Sequence, residues 1–216
     1  EGIAQSQIDA ARNYTFDSGL RSILRQDPDI VMVGEIRDLE TAEIAMQAAL
    51  TGHVVVSTIH TNSAAGAIPR FLSMGVKPFL LAPALNAVAG QRLIRRLCNE
   101  CKQQGGTSEN SLARAKEELE KLPAEDKAKV DFTKLTFYEP KGCEKCSKSG
   151  YKGRVGIYEI FTMTKEIEAV ILSGNVSEFT IKEIAAKQGM ITMAQDGILK
   201  ALDGITSLEE VFEAAE

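Results

Sequence analysis

No stretch of the sequence approaches the ~20 consecutive apolar residues that a membrane-spanning helix needs, which argues against direct membrane insertion. No basic segment followed by an apolar run opens the chain, so no signal peptide is read. There is no basic excess. The formal charge is −5, which argues against a general nucleic-acid surface. Histidine is scarce, with only His53 and His60. The Gly-x-x-x-x-Gly-Lys-Ser/Thr loop, whose backbone amides cradle nucleotide phosphates, occurs nowhere. Internal repeats and disordered low-complexity tracts are also missing. What remains is ordinary for a globular protein, with 44% hydrophobic and 25% charged residues in a length sufficient for one good core and one or two satellites. The chain opens on Glu1 and Gly2 without methionine and enters structure quickly, so it is expected to derive from something longer.

The stretch from Gln26 to His60 organises the rest. Asp29–Val33 is a short, β-branched apolar run ending in Gly34 and Glu35. Leu39–Leu50 has apolar positions at helical spacing, with Asp38 as cap and Gly52 as stop. His53–Thr58 is a second apolar run. Two continuous apolar strands separated by a helix predict a parallel sheet buried on both faces. Ligands gather at the carboxyl ends of such strands. Glu35 and Arg37 follow the first strand there; Ser57, Thr58, His60, Thr61 and Asn62 follow the second. A phosphate-handling enzyme would place its chemistry at this edge.

Elsewhere, Thr15 caps a helix expected from Phe16 to about Gln26, stopped by Asp27–Pro28. Helices are expected over Ser63–Met74, despite Pro69, and over Pro78–Ala89. Gln91–Leu97 reads as a strand; its three arginines are either phosphate ligands or the charges of an edge strand. Glu109–Leu122 looks helical and largely solvated, and Val155–Phe161 reads as a strand. Beyond Thr164 the pattern is helical, with capping boxes at Thr180/Glu183, Thr192/Gln195 and Ser207/Glu210.

Four cysteines form two C-x-x-C pairs, Cys98/Cys101 and Cys143/Cys146. Without an export signal this pattern favours metal over disulfides and a reducing, cytoplasmic setting. Two knuckles supply four thiolates, which suits tetrahedral structural Zn2+ and leaves no open position for catalysis. A redox pair or free thiols are the competing reading. Glu35, just past a strand, can position water and a hydrated Mg2+, or it can simply pair with Arg37 or cap a turn. His53 and His60 would point to opposite faces of one straight strand, so they are not expected to share a metal. His60, at the carboxyl end, is the better candidate of the two for sensing a phosphate, with a hydrogen-bonded structural histidine as the competing reading.

The segments GLRSILRQDPDIVMVGEIRD and TGHVVVSTIHTN, followed by the paired C-x-x-C motifs, resemble the secretion ATPase superfamily. More narrowly, they resemble the assembly ATPases of type II secretion and type IV pili, the GspE/PilB group. The resemblance extends to the tail KEIAAKQGMITMAQDGILKALDGITSLEEV. It implies an α/β fold, a partial RecA-like P-loop NTPase core lacking its P-loop, with a tetra-cysteine zinc subdomain and a C-terminal helical cluster. The implied divisions are 1–97 for the core, 98–161 for the zinc subdomain and 162–216 for the helical cluster. Asp29–Glu35 matches the family's Walker B segment. There Gly34 replaces the usual aspartate and Glu35 is the catalytic acid. Gly52–Asn62 matches the His box, which makes His60, His53, Thr58 and Arg37 the expected nucleotide-sensing set. Cys98, Cys101, Cys143 and Cys146 match the zinc ligands. The implied whole is a cytoplasmic homohexamer that uses ATP and Mg2+, lies peripheral to the inner membrane and works with inner-membrane platform proteins. This chain on its own is expected to be inactive. The rival reading is a non-catalytic, zinc-stabilised interaction module.

Overall fold

The structure, a computed structural model, describes residues 3–215. It is mixed α/β. The first elements are α1 (Phe16–Leu24), β1 (Ile30–Val33), α2 (Leu39–Leu50), β2 (Val54–Ser57), α3 (Ala67–Ser73) and α4 (Pro78–Ala84). Next come β3 (Ala87–Leu97), β4 (Gln103–Gln104), α5 (Glu109–Glu120), α6 (Ala124–Lys127), β5 (Tyr138–Glu139) and β6 (Tyr151–Thr162). Four helices follow: α7 (Lys165–Ser173), α8 (Glu178–Lys187), α9 (Met193–Leu202) and α10 (Leu208–Ala215). The chain divides into two compact units. One holds the residues up to Val88 together with Thr162–Ile184; the other holds Ala89–Phe161 and the residues from Ala185 onward. Residues 89–97 thus group with the cysteine region, and the stretch 162–216 is shared between the units.

In the first unit, Thr15 caps α1. Its hydroxyl accepts the Ser18 N–H at 3.3 Å, and the Ser18 hydroxyl accepts the Thr15 N–H at 3.0 Å. Asp38 caps α2 by accepting the Thr41 N–H at 2.8 Å. Gly52, at φ 102°, turns the chain into β2, a conformation that disfavours a side chain. β1 and β2 pair in parallel, from Ile30 opposite Val54 to Val33 opposite Ser57. The expectation of a sheet buried on both faces is corrected here. Val31 and Val33 are 3% exposed, but Ile30 is 67% and Met32 72% exposed, and Val54 and Val56 on the same face are also exposed. A parallel pair is buried on both sides only when helices cover both faces. Among the described residues, α2 packs on β2, and α1 and α4 pack on α2.

Two helices are shorter than the apolar spacing predicts. α3 begins at Ala67 rather than Ser63, so Pro69 falls in its first turn, where no N–H partner is required. α4 ends at Ala84, just past Pro83, which has no N–H to continue the ladder. Residues 87–89, expected as helix, open the long strand β3.

In the second unit β3 pairs with β6, and β4 pairs antiparallel with β5. α5, α9 and α10 pack together over a core that includes Ile94, Leu119, Phe137, Ile157, Ile198 and Val211. α5 is therefore not simply solvated: Ala115 and Leu119 are fully buried. Leu119→Ala is expected to cost about 2–5 kcal/mol, read as a lower urea midpoint, whereas Glu117→Ala on the same helix should stay within about 0.5 kcal/mol. Equal effects would mean α5 does not contribute to the core.

The capping boxes are realised unequally. Thr192 and Gln195 cap α9 reciprocally, at 3.2 and 2.9 Å. Ser207 accepts the Glu210 N–H at 3.4 Å, but the Glu210 carboxylate turns to Arg95 instead. α8 starts at Glu178, and its cap is Ser177, which accepts the Thr180 N–H at 3.0 Å, so Thr180 sits inside the first turn. Arg95 is the structural member of the three strand arginines. Its Nε donates to Glu210 at 2.8 Å and its guanidinium stacks 4.3 Å from the Tyr151 ring centroid. Burial pushes the Glu210 carboxyl up, but the hydrogen bonds and charge of Arg95 outweigh it and hold the group below the usual range.

Candidate active site and metal centre

The carboxyl ends of β1 and β2 lie side by side because the strands are parallel and in register. That geometry brings Gly34–Arg37 against Thr58–His60. The Ile36 N–H donates to the Thr58 carbonyl at 2.9 Å, and the Thr58 hydroxyl donates to the Gly34 carbonyl at 2.7 Å. Between these two bonds stands Glu35, whose side chain is 19% exposed. Arg37 Nε donates to Glu35 Oε2 at 2.6 Å, and its Nη2 lies 2.5 Å from the same oxygen. His60 Nε2 lies against the other oxygen, Oε1. That oxygen is itself buried and accepts no hydrogen bond of good geometry. The Arg37 hydrogen bond holds the Glu35 carboxyl below the usual glutamate range; burial opposes this, and the charges of Arg37 and His60 add to the lowering. Glu35 is therefore an ionised acceptor at neutral pH, flanked by two exposed side chains able to contact an anion. A Cβ built on Gly34 would meet nothing within 4 Å, so space alone does not demand glycine there.

His53 is not part of this cluster. It precedes β2, at the opposite end of the strand, where its Nδ1 donates to the Ala48 carbonyl at 3.0 Å. Its side chain thereby ties the end of α2 to the start of β2. Of the five residues expected at the nucleotide edge, Glu35, Arg37, Thr58 and His60 come together.

The four cysteines converge in the second unit. Their Sγ atoms all lie within 4.8 Å of one another. Cys98 and Cys143 are 3.9 Å apart, Cys101 and Cys146 3.8 Å, and Cys143 and Cys146 3.7 Å. None is in a disulfide. Zn–S bonds of ~2.3 Å in a tetrahedron put sulfurs ~3.8 Å apart, so the spacing fits one zinc ion. Burial pushes the Cys101 thiol up to about 12, and the neighbouring thiols add to the rise. The Cys143 backbone hydrogen bond, aided by that of Gly150, draws Cys146 down to about 6 against burial. Four thiolates this close repel one another, and a dication is what allows all four to ionise.

The knuckle around Cys143 and Cys146 depends on backbone that spacing alone does not announce. The N–H groups of Cys143 and Gly150 each donate to Cys146 Sγ at 3.2 Å. Ser147 and Lys148 are left-handed, at φ 53° and 62°. Gly142 and Gly150 are also at positive φ. A Cβ at Gly150 would sit 2.3 Å from Pro140 Cβ, so these two glycines are sterically required. The glycine-rich composition of residues 142–156 was the available signal for them.

Among the described residues, no helix is long and apolar enough to cross a membrane. Residues 1–213 match the family described as type II/IV secretion system protein. The chain is 47% identical over 210 residues to the type IV pilus assembly ATPase PilB of Thermus thermophilus, covering 97% of this chain and 22% of that protein. It is 45% identical over 216 residues to type II secretion system protein E of Klebsiella pneumoniae, covering 100% of this chain and 40% of that protein. Among solved structures it resembles the pilus retraction motor PilT with bound ADP, at a TM-score of 0.59 and 26% identity over 93% of this chain and 43% of that one. It shares its fold with the Legionella pneumophila ATPase DotB, at a TM-score of 0.61 and 21% identity over 96% of this chain and 44% of that one. The chain thus spans between about a fifth and two-fifths of the length of these curated relatives. Sequence, fold and the near-complete match agree that the chain belongs to the type II/IV secretion system protein family.

Proposed function

We propose that this chain is the C-terminal part of a cytoplasmic, homohexameric traffic ATPase with a RecA-like core, which hydrolyses ATP to drive pilus assembly or type II secretion. The observation that carries the reading is the Glu35 carboxylate, ionised and held at the carboxyl edge of a parallel strand pair with Arg37 on one oxygen and His60 on the other. In this role Glu35 accepts a hydrogen bond from the water that attacks the γ-phosphate, and Arg37 and His60 register whether that phosphate is present. Mg2+ bound with ATP would supply charge neutralisation at the phosphates. Cys98, Cys101, Cys143 and Cys146 would hold a structural zinc that cross-links their loops. The partners of the whole motor would be inner-membrane platform proteins, which place it peripheral to that membrane. The chain alone carries no phosphate-cradling loop, so it is proposed to be inactive by itself.

The test is MgATP turnover measured side by side for this chain and for the full-length protein. Turnover by the full-length protein alone is expected. If neither turns over, the tetra-cysteine cluster favours the second reading, a zinc-stabilised interaction module without catalysis.

A further inference from the structure

Thr58 touches the backbone on both sides of Glu35. Its hydroxyl donates to the carbonyl of Gly34 at 2.7 Å, and its own carbonyl accepts the N–H of Ile36 at 2.9 Å. These bonds continue the β1–β2 pairing beyond its last register pair, Val33 opposite Ser57. The residue between them, Glu35, has a side chain long enough to swing, and its restraints on the far side, Arg37 and His60, are both exposed. The backbone clamp is therefore the part of the site that fixes where the carboxylate starts from.

We propose that Thr58 is a positioning residue for Glu35, bracketing the Gly34–Ile36 turn from both sides, rather than a contact to the nucleotide. The hydroxyl proton is committed to Gly34, so the group is not a free donor for a phosphate. The proposal rests on the hydrolytic reading of Glu35. A catalytic group displaced by about 1 Å can lose on the order of 100-fold in rate, so the clamp matters to turnover more than to binding. The hydroxyl bond sets the tilt of the turn; the backbone bond survives any side chain at 58.

The experiment compares Thr58→Val, Thr58→Ser and Glu35→Gln in the full-length protein. Thr58→Val keeps the branched shape and removes the donor. It is expected to lower kcat about ten-fold or more with KM for MgATP changed less than about two-fold. Hydrogen exchange over residues 34–36 should quicken while the thermal midpoint holds. Thr58→Ser restores the donor and should recover at least half of the wild-type kcat. A raised KM with unchanged kcat would make Thr58 a nucleotide contact and overturn the proposal, as would a Val variant with wild-type kcat. Should Val not fold, Thr58→Ala against Thr58→Ser carries the same comparison. Glu35→Gln separates the two levels: if that variant keeps wild-type turnover, the hydrolytic reading itself has failed, whatever Thr58 does.

Discussion

Glu35→Gln in the full-length protein is expected to lower MgATP turnover by about 100-fold or more, with little change in KM. The substitution preserves the size of the side chain and leaves the backbone bonds of Thr58 untouched. It removes the negative charge that orders Arg37 and His60 and replaces a strong acceptor by a neutral amide. Stability should change little, because Gln keeps the size of the side chain and the Arg37 partner is itself exposed, where such pairs contribute little. The direction of the Glu35 shift adds a pH signature. Its carboxyl is held below the usual glutamate range, so the group stays ionised through neutral pH and loses its charge only below that range. The acid limb of kcat should therefore fall at lower pH than an ordinary glutamate would give. In Arg37→Ala, the main cause of the shift is removed and the limb should move upward. Unchanged turnover in Glu35→Gln would reduce the carboxylate to the partner of Arg37, a turn-stabilising pair with no chemical duty.

Much of this edge was legible before any coordinates. Apolar runs fixed the strands to within a residue at each end, and Asp38 and Gly52 bracket α2 as capping chemistry requires. Parallel pairing then follows from the intervening helix, and it places Glu35 beside Thr58 and His60. What could not be read was burial. Ile30, Met32, Val54 and Val56 look like the interior of a doubly covered sheet, since an apolar run carries no record of what lies on each face. The same limit misjudged α5, whose charged surface hides Ala115 and Leu119 at a spacing of four. His53 was misleading for another reason. Its neighbours in sequence lie at the edge that matters, but a strand carries the start and the end of a run to opposite ends of the sheet. Capping boxes failed where a competing partner existed: Glu210 finds a cation in Arg95, which outbids the weaker bond to a cap. Side-chain choices made across 115 residues of sequence leave no local pattern.

The cysteine cluster gives the other large effect. Cys146→Ser is expected to remove bound zinc from the purified protein, from about one equivalent to none, and to lower the thermal midpoint of the unit that contains it by on the order of 10 °C. Cys98 and Cys146 are both buried, and Cys146 is chosen because its sulfur already accepts two backbone N–H bonds, from Cys143 and Gly150. The damage should spread along the backbone that those bonds organise. The Gly150 carbonyl accepts the Cys98 N–H at 2.9 Å, joining the two knuckles. The next residue, Tyr151, reaches Ser207 Oγ at 2.9 Å and lies under Arg95, which holds Glu210 of α10. Losing the metal should thus loosen α10 as well as the loop, seen as faster hydrogen exchange over residues 205–212, far away in sequence. The core of α5, α9 and α10 does not use zinc, so secondary structure should largely persist. Zinc binding requires four thiolates, so protons compete with the metal, and acid should release it together with the stability it confers. A chelator at neutral pH should reproduce the Cys146→Ser midpoint in the wild-type protein. Full wild-type stability with no zinc present would instead assign the four thiols to the redox reading, and an intact-mass loss of two hydrogen atoms per disulfide, their electrons taken by the added mild oxidant, would then be the sign to seek.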